Sequence, residues 1–248
     1  MSEILVIGDS CKDIYVYGSC DRLCPDYPVP SFIPSHKKQS LGMAGNVHQN
    51  ILSLRVRATL KTNSTVIEKT RYVDKKTNHM FLRVDSGEEK VQRVEGLNKD
   101  FLSKFNLIII SDYNKGFLLE EDIKFICDNH KQVFIDTKKN LGDFCKNCCF
   151  IKINQEEYNK SVDYINNNPS INDKIIQTLA GKGCKIADKH FDVEKVEIKD
   201  SCGAGDTFLA ALCVDFLKTK NIEKSIEFAN KCATIVVQKR GVVTINEF

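Results

Sequence analysis

The sequence predicts an α/β protein with a mostly parallel central sheet, helices on both faces of the sheet, and a small β-flap (lid). Short apolar runs alternate with helical patterns, at residues 4–7, 107–110, 133–135, 150–153 and 175–179. Runs of this kind are typical of strands buried on both faces of a parallel sheet. Polar residues follow several of them, at the edge where open α/β sheets build their sites: Asp9, Asp112, Asp136 and Asn154.

Three segments repeat apolar residues at helical spacing and are predicted to be amphipathic helices. The first carries Val47, Asn50, Ile51 and Leu54 on one face. The second lies at residues 208–216 and the third at residues 222–237. Each is expected to lay its apolar face on the sheet.

Two further segments, at about residues 14–38 and 66–94, alternate β-branched and aromatic residues with polar ones. This period of two predicts antiparallel strands outside the main sheet, which would form the lid over the strand ends. Residues 193–198 show the same alternation and are predicted to be a strand that leads into the second long helix. We expect residues 1–248 to form a single domain.

Composition excludes several classes of protein. The chain has 248 residues, and 36 Lys and Arg against 33 Asp and Glu give a net charge of +3 without a basic block, so nucleic acid binding is not expected. Gly8 and Asp9 interrupt the first apolar run, and no run approaches the length of a membrane span, so a cytoplasmic protein is predicted. The 11 cysteines are expected to be reduced thiols, with a zinc site at Cys145, Cys148 and Cys149 as the less favoured alternative.

The most informative segment is residues 200–206, which read Asp-Ser-Cys-Gly-Ala-Gly-Asp just before a predicted helix. At Gly203 and Gly205 no Cβ obstructs an approaching group, so backbone N–H groups can converge on it. The helix start adds unsatisfied donors and the positive end of the helix dipole. Gly203, Ala204 and Gly205 therefore predict a binding site for an anion the size of a phosphate group.

Asp206 has two interpretations from the residues alone. A carboxylate in the first helical turn can cap the helix or pair with its dipole, which is worth about 0.5–2 kcal/mol. A carboxylate beside a phosphate-sized anion hole is also the base that phosphoryl transfer to a hydroxyl requires. Other phosphate motifs are absent, because no G-x-x-x-x-G-K-[ST] occurs and Phe208 stands where G-x-G-x-x-G needs glycine.

Residues 200–206 match throughout the D-[ST]-x-G-A-G-D signature of the ribokinase-like (PfkB) carbohydrate kinases, and most of the chain resembles that family. The start of the chain resembles the family's opening block, G-D-x-x-x-D-x-Y-x-x-G, through Gly8, Asp9, Asp13, Tyr15 and Gly18. Four further blocks are similar to those of D-glycero-β-D-manno-heptose 7-phosphate kinases, which form the kinase half of bifunctional ADP-heptose synthesis enzymes. Residues 69–71 resemble the K-T-R block and residues 82–85 the L-R-x-D block. Residues 111–116 resemble the S-D-Y-G-K-G block and residues 136–138 the D-P-K block. The resemblance implies a ribokinase-like fold and a phosphotransferase with an alcohol group as acceptor.

The resemblance also implies roles for individual residues. It makes Asp206 the catalytic base, with Gly203, Ala204 and Gly205 as the anion hole, and it places Asp13, Gly42 and Asn46 on sugar hydroxyls. Lys69, Arg71, Arg83 and Lys115 become candidates for binding the sugar phosphate. Asn154 and Glu157 match an N-x-x-E element associated with Mg²⁺ through water, although a helix cap explains them equally well. The resemblance places six further residues beside the nucleotide: Thr178, Lys182, Gly183, Asn230, Lys239 and Gly241.

The implied reaction uses ATP and Mg²⁺ to phosphorylate the anomeric hydroxyl of D-glycero-D-manno-heptose 7-phosphate, giving the 1,7-bisphosphate. A monovalent cation near the anion hole and a homodimer through the lid stay open. The chain has no room for a nucleotidyltransferase half, so ADP-heptose synthesis would need a separate nucleotidyltransferase. The alternatives are a ribokinase-like kinase acting on a hexose, a pentose or a nucleoside, and a catalytically silent sugar- or nucleotide-binding paralogue.

Three departures from the family pattern carry expectations of their own. Met43 replaces the second of two adjacent glycines, and we expect its side chain to alter or close the sugar pocket. Ala180 stands where the T-L-G element carries glycine. Between Leu60 and Thr65 the family normally inserts a further strand and helix, so part of the sheet edge is expected to be missing.

Overall fold

The computed structural model describes residues 3–245, which form two sheets and eight α-helices. The strands are β1 (Glu3–Gly8), β2 (Ser10–Leu23), β3 (Pro30–Met43), β4 (Arg57–Thr62), β5 (Ile67–Asp74), β6 (Met80–Ser86), β7 (Leu107–Asp112), β8 (Val133–Thr137), β9 (Phe150–Asn154), β10 (Ile175–Thr178), β11 (Cys184–Ile186) and β12 (Lys189–Phe191). The helices are α1 (Ala44–Ser53), α2 (Lys99–Leu102), α3 (Glu120–Asn129), α4 (Gln155–Lys160), α5 (Val162–Asn167), α6 (Pro169–Asn172), α7 (Ala204–Thr219) and α8 (Ile222–Val236).

The main sheet has eight strands in the order β12-β11-β10-β9-β8-β7-β1-β4. The six strands from β10 to β4 are parallel, and β11 and β12 add an antiparallel edge. The five strands predicted from apolar runs are all present, as β1, β7, β8, β9 and β10. On the opposite side the sheet ends at β4.

Successive residues of the central strands fill two separate cores. Ile4, Val6, Leu107 and Ile109 face the side on which α1, α7 and α8 pack. Leu5, Ile7, Ile108 and Ile110 face the side covered by α2, α3, α5 and α6. A strand buried on both faces has no polar alternation, which is why these segments read as continuous apolar runs.

The three helices predicted from their periodicity are confirmed as α1, α7 and α8. Asn221 caps α8, because its side chain accepts a hydrogen bond from the Lys224 amide. The helices between residues 3 and 245 include none that joins sufficient length to the apolar composition of a bilayer span.

The lid is a four-stranded sheet in the order β3-β2-β5-β6. The first lid segment is longer than the predicted residues 14–38, since β2 begins at Ser10 and β3 runs to Met43. The second is shorter than the predicted residues 66–94, since β6 ends at Ser86. The prediction of antiparallel pairing is wrong for β2 and β5, which are parallel. The chain passes through α1 and β4 between these strands and so returns in the same direction.

The prediction of a strand at residues 193–198 is wrong. The chain leaves the main sheet after β12 and crosses residues 193–198 without regular structure, with Ile198 59% exposed. Backbone hydrogen bonds from Lys199 and Asp200 to the Val237 carbonyl hold the end of the segment. Alternating side chains are not sufficient for a strand, because a strand also requires a partner whose hydrogen-bonding edge is within reach.

Candidate active site

The turn at Gly203–Gly205 lies at the N-terminus of α7, at the carboxyl end of the parallel strands. Gly203 precedes the helix with a φ of 79°, a left-handed conformation that favours glycine. A Cβ built on Gly203 would lie 2.7 Å from Nδ2 of Asn46, and one on Gly205 would lie 3.0 Å from Nζ of Lys152. Glycine therefore brings two polar side chains against the first turn of the helix, where backbone donors point outward.

Asp206 is 5% exposed, and two side chains donate hydrogen bonds to its carboxylate. Asn46 Nδ2 donates to Oδ2 at 2.9 Å, and the hydroxyl of Tyr113 donates to Oδ1 at 2.8 Å. Burial raises the pKa of Asp206 to about 6, against the lowering effects of these two hydrogen bonds and of Lys152. A carboxylate with that pKa is ionised at neutral pH and well matched to accept a proton, as a general base must.

Asn46 belongs to a buried amide network between α1 and α7. Asn50 donates from Nδ2 to the backbone carbonyl and to Oδ1 of Asn46, at 2.9 and 3.1 Å. The hydroxyl of Thr207 donates to Oδ1 of Asn50 at 3.3 Å. These contacts orient the Asn46 amide with its nitrogen toward the carboxylate of Asp206.

Tyr113 is a site residue that the sequence analysis did not assign. It lies in the loop after β7, and this loop is shaped by Asp9, whose carboxylate accepts backbone N–H groups from Tyr113, Lys115 and Phe117 at 2.8, 3.2 and 3.3 Å. Burial raises the pKa of Asp9 despite these hydrogen bonds. The signals available in the sequence were the position of Tyr113 directly after Asp112, at a strand end, and its place in the block at residues 111–116.

Lys152 and Asp136 form a second unassigned pair beside the turn. Lys152 Nζ donates to Oδ2 of Asp136 at 2.7 Å, and both side chains are more than 90% buried. Burial lowers the pKa of Lys152, but the charge and hydrogen bond of Asp136, together with the charges of Glu157 and Asp206, leave the pKa above its ordinary value, so the lysine is charged. A lysine inside an otherwise apolar strand was the signal that could have revealed this pair.

Asp13 and Gly42, both predicted to bind sugar hydroxyls, are neighbours in the lid. A Cβ on Gly42 would lie 2.1 Å from Oδ2 of Asp13, so the carboxylate occupies the space that a side chain at residue 42 would need. Arg71 forms an ion pair with Asp13 and lies 5.1 Å from the ring centre of Tyr15. The structure therefore joins Arg71, a predicted phosphate ligand, to the predicted sugar site.

Met43 follows directly, at the junction between the lid and α1. Its side chain is 3% exposed and packs with Cys11 and Ile67. Its φ of 58° is left-handed, which explains why glycine suits this position. The side chain lies in a small apolar cluster beneath the lid.

The other lid cations are held by carboxylates or an aromatic ring. Arg83 makes a two-pronged contact with Asp85, at 2.7 Å for each nitrogen. Lys115 Nζ lies 2.5 Å from Oε2 of Glu88. Lys69 Nζ lies 5.8 Å from the ring centre of Tyr113, whose hydroxyl contacts Asp206.

Asn154 and Glu157 form a capping box at the start of α4. Oδ1 of Asn154 accepts the Glu157 amide at 2.9 Å, and Oε2 of Glu157 accepts the Asn154 amide at 2.8 Å. The remaining Glu157 oxygen forms an ion pair with Lys138. The helix-cap interpretation therefore describes both side chains, and a metal could engage them only through water or by displacing these partners.

The predicted nucleotide-side residues lie along one end of the main sheet and in the C-terminal segment. Thr178 Oγ1 donates to the Ile153 carbonyl at 3.4 Å, and Lys182 ends a short 3-10 turn that begins at Ala180 with a φ of 52°. Gly183 and Asn230 both approach the backbone of Phe191. The Gly241 amide, two residues after Lys239, donates to Oδ2 of Asp200 at 3.0 Å, tying this segment to the glycine turn.

Within residues 3–245, no group of three or more His, Cys, Asp and Glu side chains is arranged to hold a metal ion. All eleven cysteines are unpaired. Cys145 and Cys148 are buried, and burial raises the pKa of Cys145 to about 11. The alternative of a zinc site at these cysteines therefore has no support.

A buried carboxylate of raised pKa, set beside a glycine turn at a helix N-terminus and beneath a lid, is the arrangement that a phosphotransferase with an alcohol acceptor requires. Residues 50–247 match the pfkB family carbohydrate kinases, and the chain belongs to this family. It is therefore a carbohydrate kinase.

Individual relatives agree with this assignment, and solved structures agree with the fold. The chain is 29% identical to the bifunctional protein HldE of Nitratiruptor sp. and 30% identical to that of Campylobacter fetus, over 98% and 97% of its own length. It spans 63% and 64% of the length of these relatives.

The fold is similar to ribokinase from Thermotoga maritima, with a TM-score of 0.73, 18% identity and coverage of 98% of this chain and 95% of the other. It is also similar to phosphofructokinase-2 from Escherichia coli, with a TM-score of 0.71, 13% identity and coverage of 97% and 94%.

Proposed function

We propose that this kinase transfers the γ-phosphoryl group of ATP to the anomeric hydroxyl of D-glycero-D-manno-heptose 7-phosphate, forming the 1,7-bisphosphate. The observation that carries the chemistry is the buried Asp206 carboxylate at the glycine turn, with a pKa of about 6. The choice of sugar is supported by the sequence blocks at residues 69–71 and 82–85 and by the relatives named bifunctional protein HldE. Because the proposed reaction uses ATP, we also propose a cytoplasmic location.

In the proposed reaction, the carboxylate, the glycine turn and the lid each have a separate role. Asp206 accepts the proton of the sugar hydroxyl, whose oxygen then bonds to the γ-phosphorus as the bond to the ADP oxygen breaks. The amides of Gly203–Gly205 donate hydrogen bonds to the charge that develops on the transferred group. Asp13 and Gly42 face the sugar from the lid, and closure of the lid would keep water from competing for the phosphoryl group.

The residues present fit a magnesium ion held mainly through water. Oδ1 of Asp136 is buried and, in the described part of the chain, accepts no hydrogen bond. Glu157 lies close enough to Lys152 for its charge to raise the pKa of the lysine. Asp136, Asn154 and Glu157 would hold the ion, which when bound supplies positive charge to the nucleotide phosphates. A monovalent cation near the anion hole remains part of the proposal.

The lid also supports a proposed homodimer. Its strands expose apolar side chains: Ile33 is 50% exposed, Met80 49% and Leu82 56%. Its outer strands β3 and β6 present free sheet edges. We propose a second copy of this chain as the occupant, with light scattering of the wild type and of Leu82→Glu as the test. A nucleotidyltransferase is the enzymatic partner expected for ADP-heptose synthesis.

The test of function is ADP release from ATP and Mg²⁺ with a panel of sugars that includes the heptose 7-phosphate, in reducing buffer. Wild type should turn over with the heptose phosphate, and Asp206→Asn should lower kcat by about 10²–10⁴-fold, the usual contribution of a general base. Turnover on a hexose, pentose or nucleoside alone would replace the substrate and keep the mechanism. Equal rates for wild type and Asp206→Asn would overturn the kinase proposal. No turnover on any sugar, despite measurable ATP binding, would favour the sugar- or nucleotide-binding paralogue.

A further inference from the structure

Lys152 is a charged side chain in the interior of the main sheet. It lies in β9 between Ile151 and Ile153 and is 6% exposed. Burying an ammonium group costs more free energy than an ion pair usually returns, so a buried pair of this kind is weak support for stability. A chemical role would explain why a lysine occupies this position.

The geometry directs the Lys152 ammonium at the anion hole. A Cβ built on Gly205 would lie 3.0 Å from Nζ and 3.9 Å from Cε of Lys152, so the ammonium rests against the first turn of α7. That turn also carries Asp206, which follows Gly205 directly and is 5% exposed. The ammonium therefore adds a full positive charge where the helix N-terminus supplies only partial ones.

Asp136 holds Lys152 in this position. Its Oδ2 accepts one N–H of the ammonium at 2.7 Å, which leaves the two other N–H groups for further acceptors. Strands β8 and β9 are adjacent and parallel, so both side chains are presented at the same region of the sheet. Asp136 acts on the anion hole through Lys152 and is a positioning residue.

We propose that Lys152 is a catalytic residue whose ammonium donates a hydrogen bond to the phosphoryl group during its transfer, on the side of the hole opposite the sugar hydroxyl. This inference rests on the proposed function. The lysine keeps its protons throughout: the hydroxyl proton goes to Asp206, and the electron pair of the broken P–O bond leaves with ADP. A preorganised cation in a dry site stabilises the charge that the phosphoryl oxygens carry in bound ATP and during the transfer.

The chain contains a matched control for a purely structural ion pair. Lys139 Nζ lies 2.8 Å from Oδ2 of Asp112, and their side chains are 10% and 0% exposed. This pair has the same chemistry and similar burial, but Lys139 does not lie against Gly205. Lys139→Met therefore measures the cost of breaking a buried lysine–aspartate pair.

The test compares binding of ADP and of the non-hydrolysable β,γ-imido analogue of ATP, by calorimetry with Mg²⁺. Lys152→Met should weaken binding of the analogue by about tenfold or more, as expected for loss of a charge-assisted hydrogen bond, and change ADP binding by less than about twofold. Lys139→Met should change the affinities for both ligands by the same factor. In turnover assays Lys152→Met should lower kcat by about 10²–10³-fold, as for loss of one donor in an oxyanion hole, and leave the KM of the sugar unchanged.

Two further variants keep the proposal testable if Lys152→Met does not fold. Lys152→Arg retains the charge and should keep part of the preference for the ATP analogue, and Lys152→Gln removes the charge while keeping a hydrogen-bonding group and should lose it. Equal effects of Lys152→Met on both nucleotides would overturn the role of Lys152 while leaving the kinase proposal intact. A wild-type protein that binds neither nucleotide would overturn both.

Discussion

The hydroxyl of Tyr113 donates a 2.8 Å hydrogen bond to Oδ1 of Asp206, 93 residues away in the chain. The tyrosine itself is deeply buried, which together with the neighbouring Asp206 charge raises its pKa well above the usual value. Tyr113 therefore remains a neutral donor at any physiological pH. It fixes one oxygen of the proposed base, while Asn46 fixes the other.

Tyr113→Phe should shift the pH dependence of the kinase. The hydrogen bond from Tyr113 favours the ionised carboxylate and lowers the pKa of Asp206, so its loss should raise that pKa and move the acid limb of kcat/KM to higher pH. Tyr164→Phe is the control, because the Tyr164 hydroxyl also contacts an aspartate, at 3.1 Å, but on the surface. Superimposable profiles for wild type and Tyr113→Phe would contradict the assigned role.

Asp206 should reduce the stability of the fold at neutral and alkaline pH. Its pKa is about 6 in the folded protein against 3.8 as the ordinary value, so its contribution to stability is lost as the pH rises through 6. Asp206→Asn removes the buried charge and should stabilise the protein at pH 8 by about 1–3 kcal/mol, with a smaller gain at pH 5. Thermal melting at both pH values measures the difference, with the exposed Asp163→Asn as control. A gain of equal size at the two pH values would argue against a raised pKa.

Gly42→Ala should damage sugar binding while leaving the nucleotide side intact. The new Cβ would approach to 2.1 Å from Oδ2 of Asp13 and 2.7 Å from Sγ of Cys11, so the carboxylate must move. We expect kcat/KM for the sugar to fall by about 10²-fold, since displacements of about 1 Å in a catalytic site cost that much. At Gly181 a Cβ would meet nothing within 4 Å, so Gly181→Ala should keep the sugar KM of wild type. An unchanged sugar KM in Gly42→Ala would remove Asp13 from the sugar site.

Glu157→Gln should weaken the response to magnesium. The glutamine can still accept the Asn154 amide and preserve the capping box, but the negative charge is lost. The Mg²⁺ concentration that supports half-maximal turnover should therefore rise several-fold. Glu156→Gln is the matched control, because Glu156 is the preceding residue and pairs only with the exposed Lys160 among the described contacts. Identical Mg²⁺ curves for the two variants would leave Glu157 with a structural role alone.

The sequence was sufficient for those parts of the fold that depend on neighbouring residues. Apolar runs located β1, β7, β8, β9 and β10, and helical spacing located α1, α7 and α8. Residues 193–198 show the limit of such reasoning, because their alternation is local but a strand needs a partner. The parallel pairing of β2 and β5 was missed for the same reason, since it depends on the path of the chain between them.

The candidate site likewise has one part that could be predicted from consecutive residues and one part that depends on contacts between distant segments. The glycine turn and Asp206 lie within seven consecutive residues, so the sequence by itself determined the turn at the helix N-terminus and its neighbouring carboxylate. The partners of that carboxylate come from distant segments: Asn46 from α1, Tyr113 from the loop after β7, and Lys152 from β9. Only the tertiary structure decided these contacts and the raised pKa, because desolvation and charge interactions depend on which atoms meet in space.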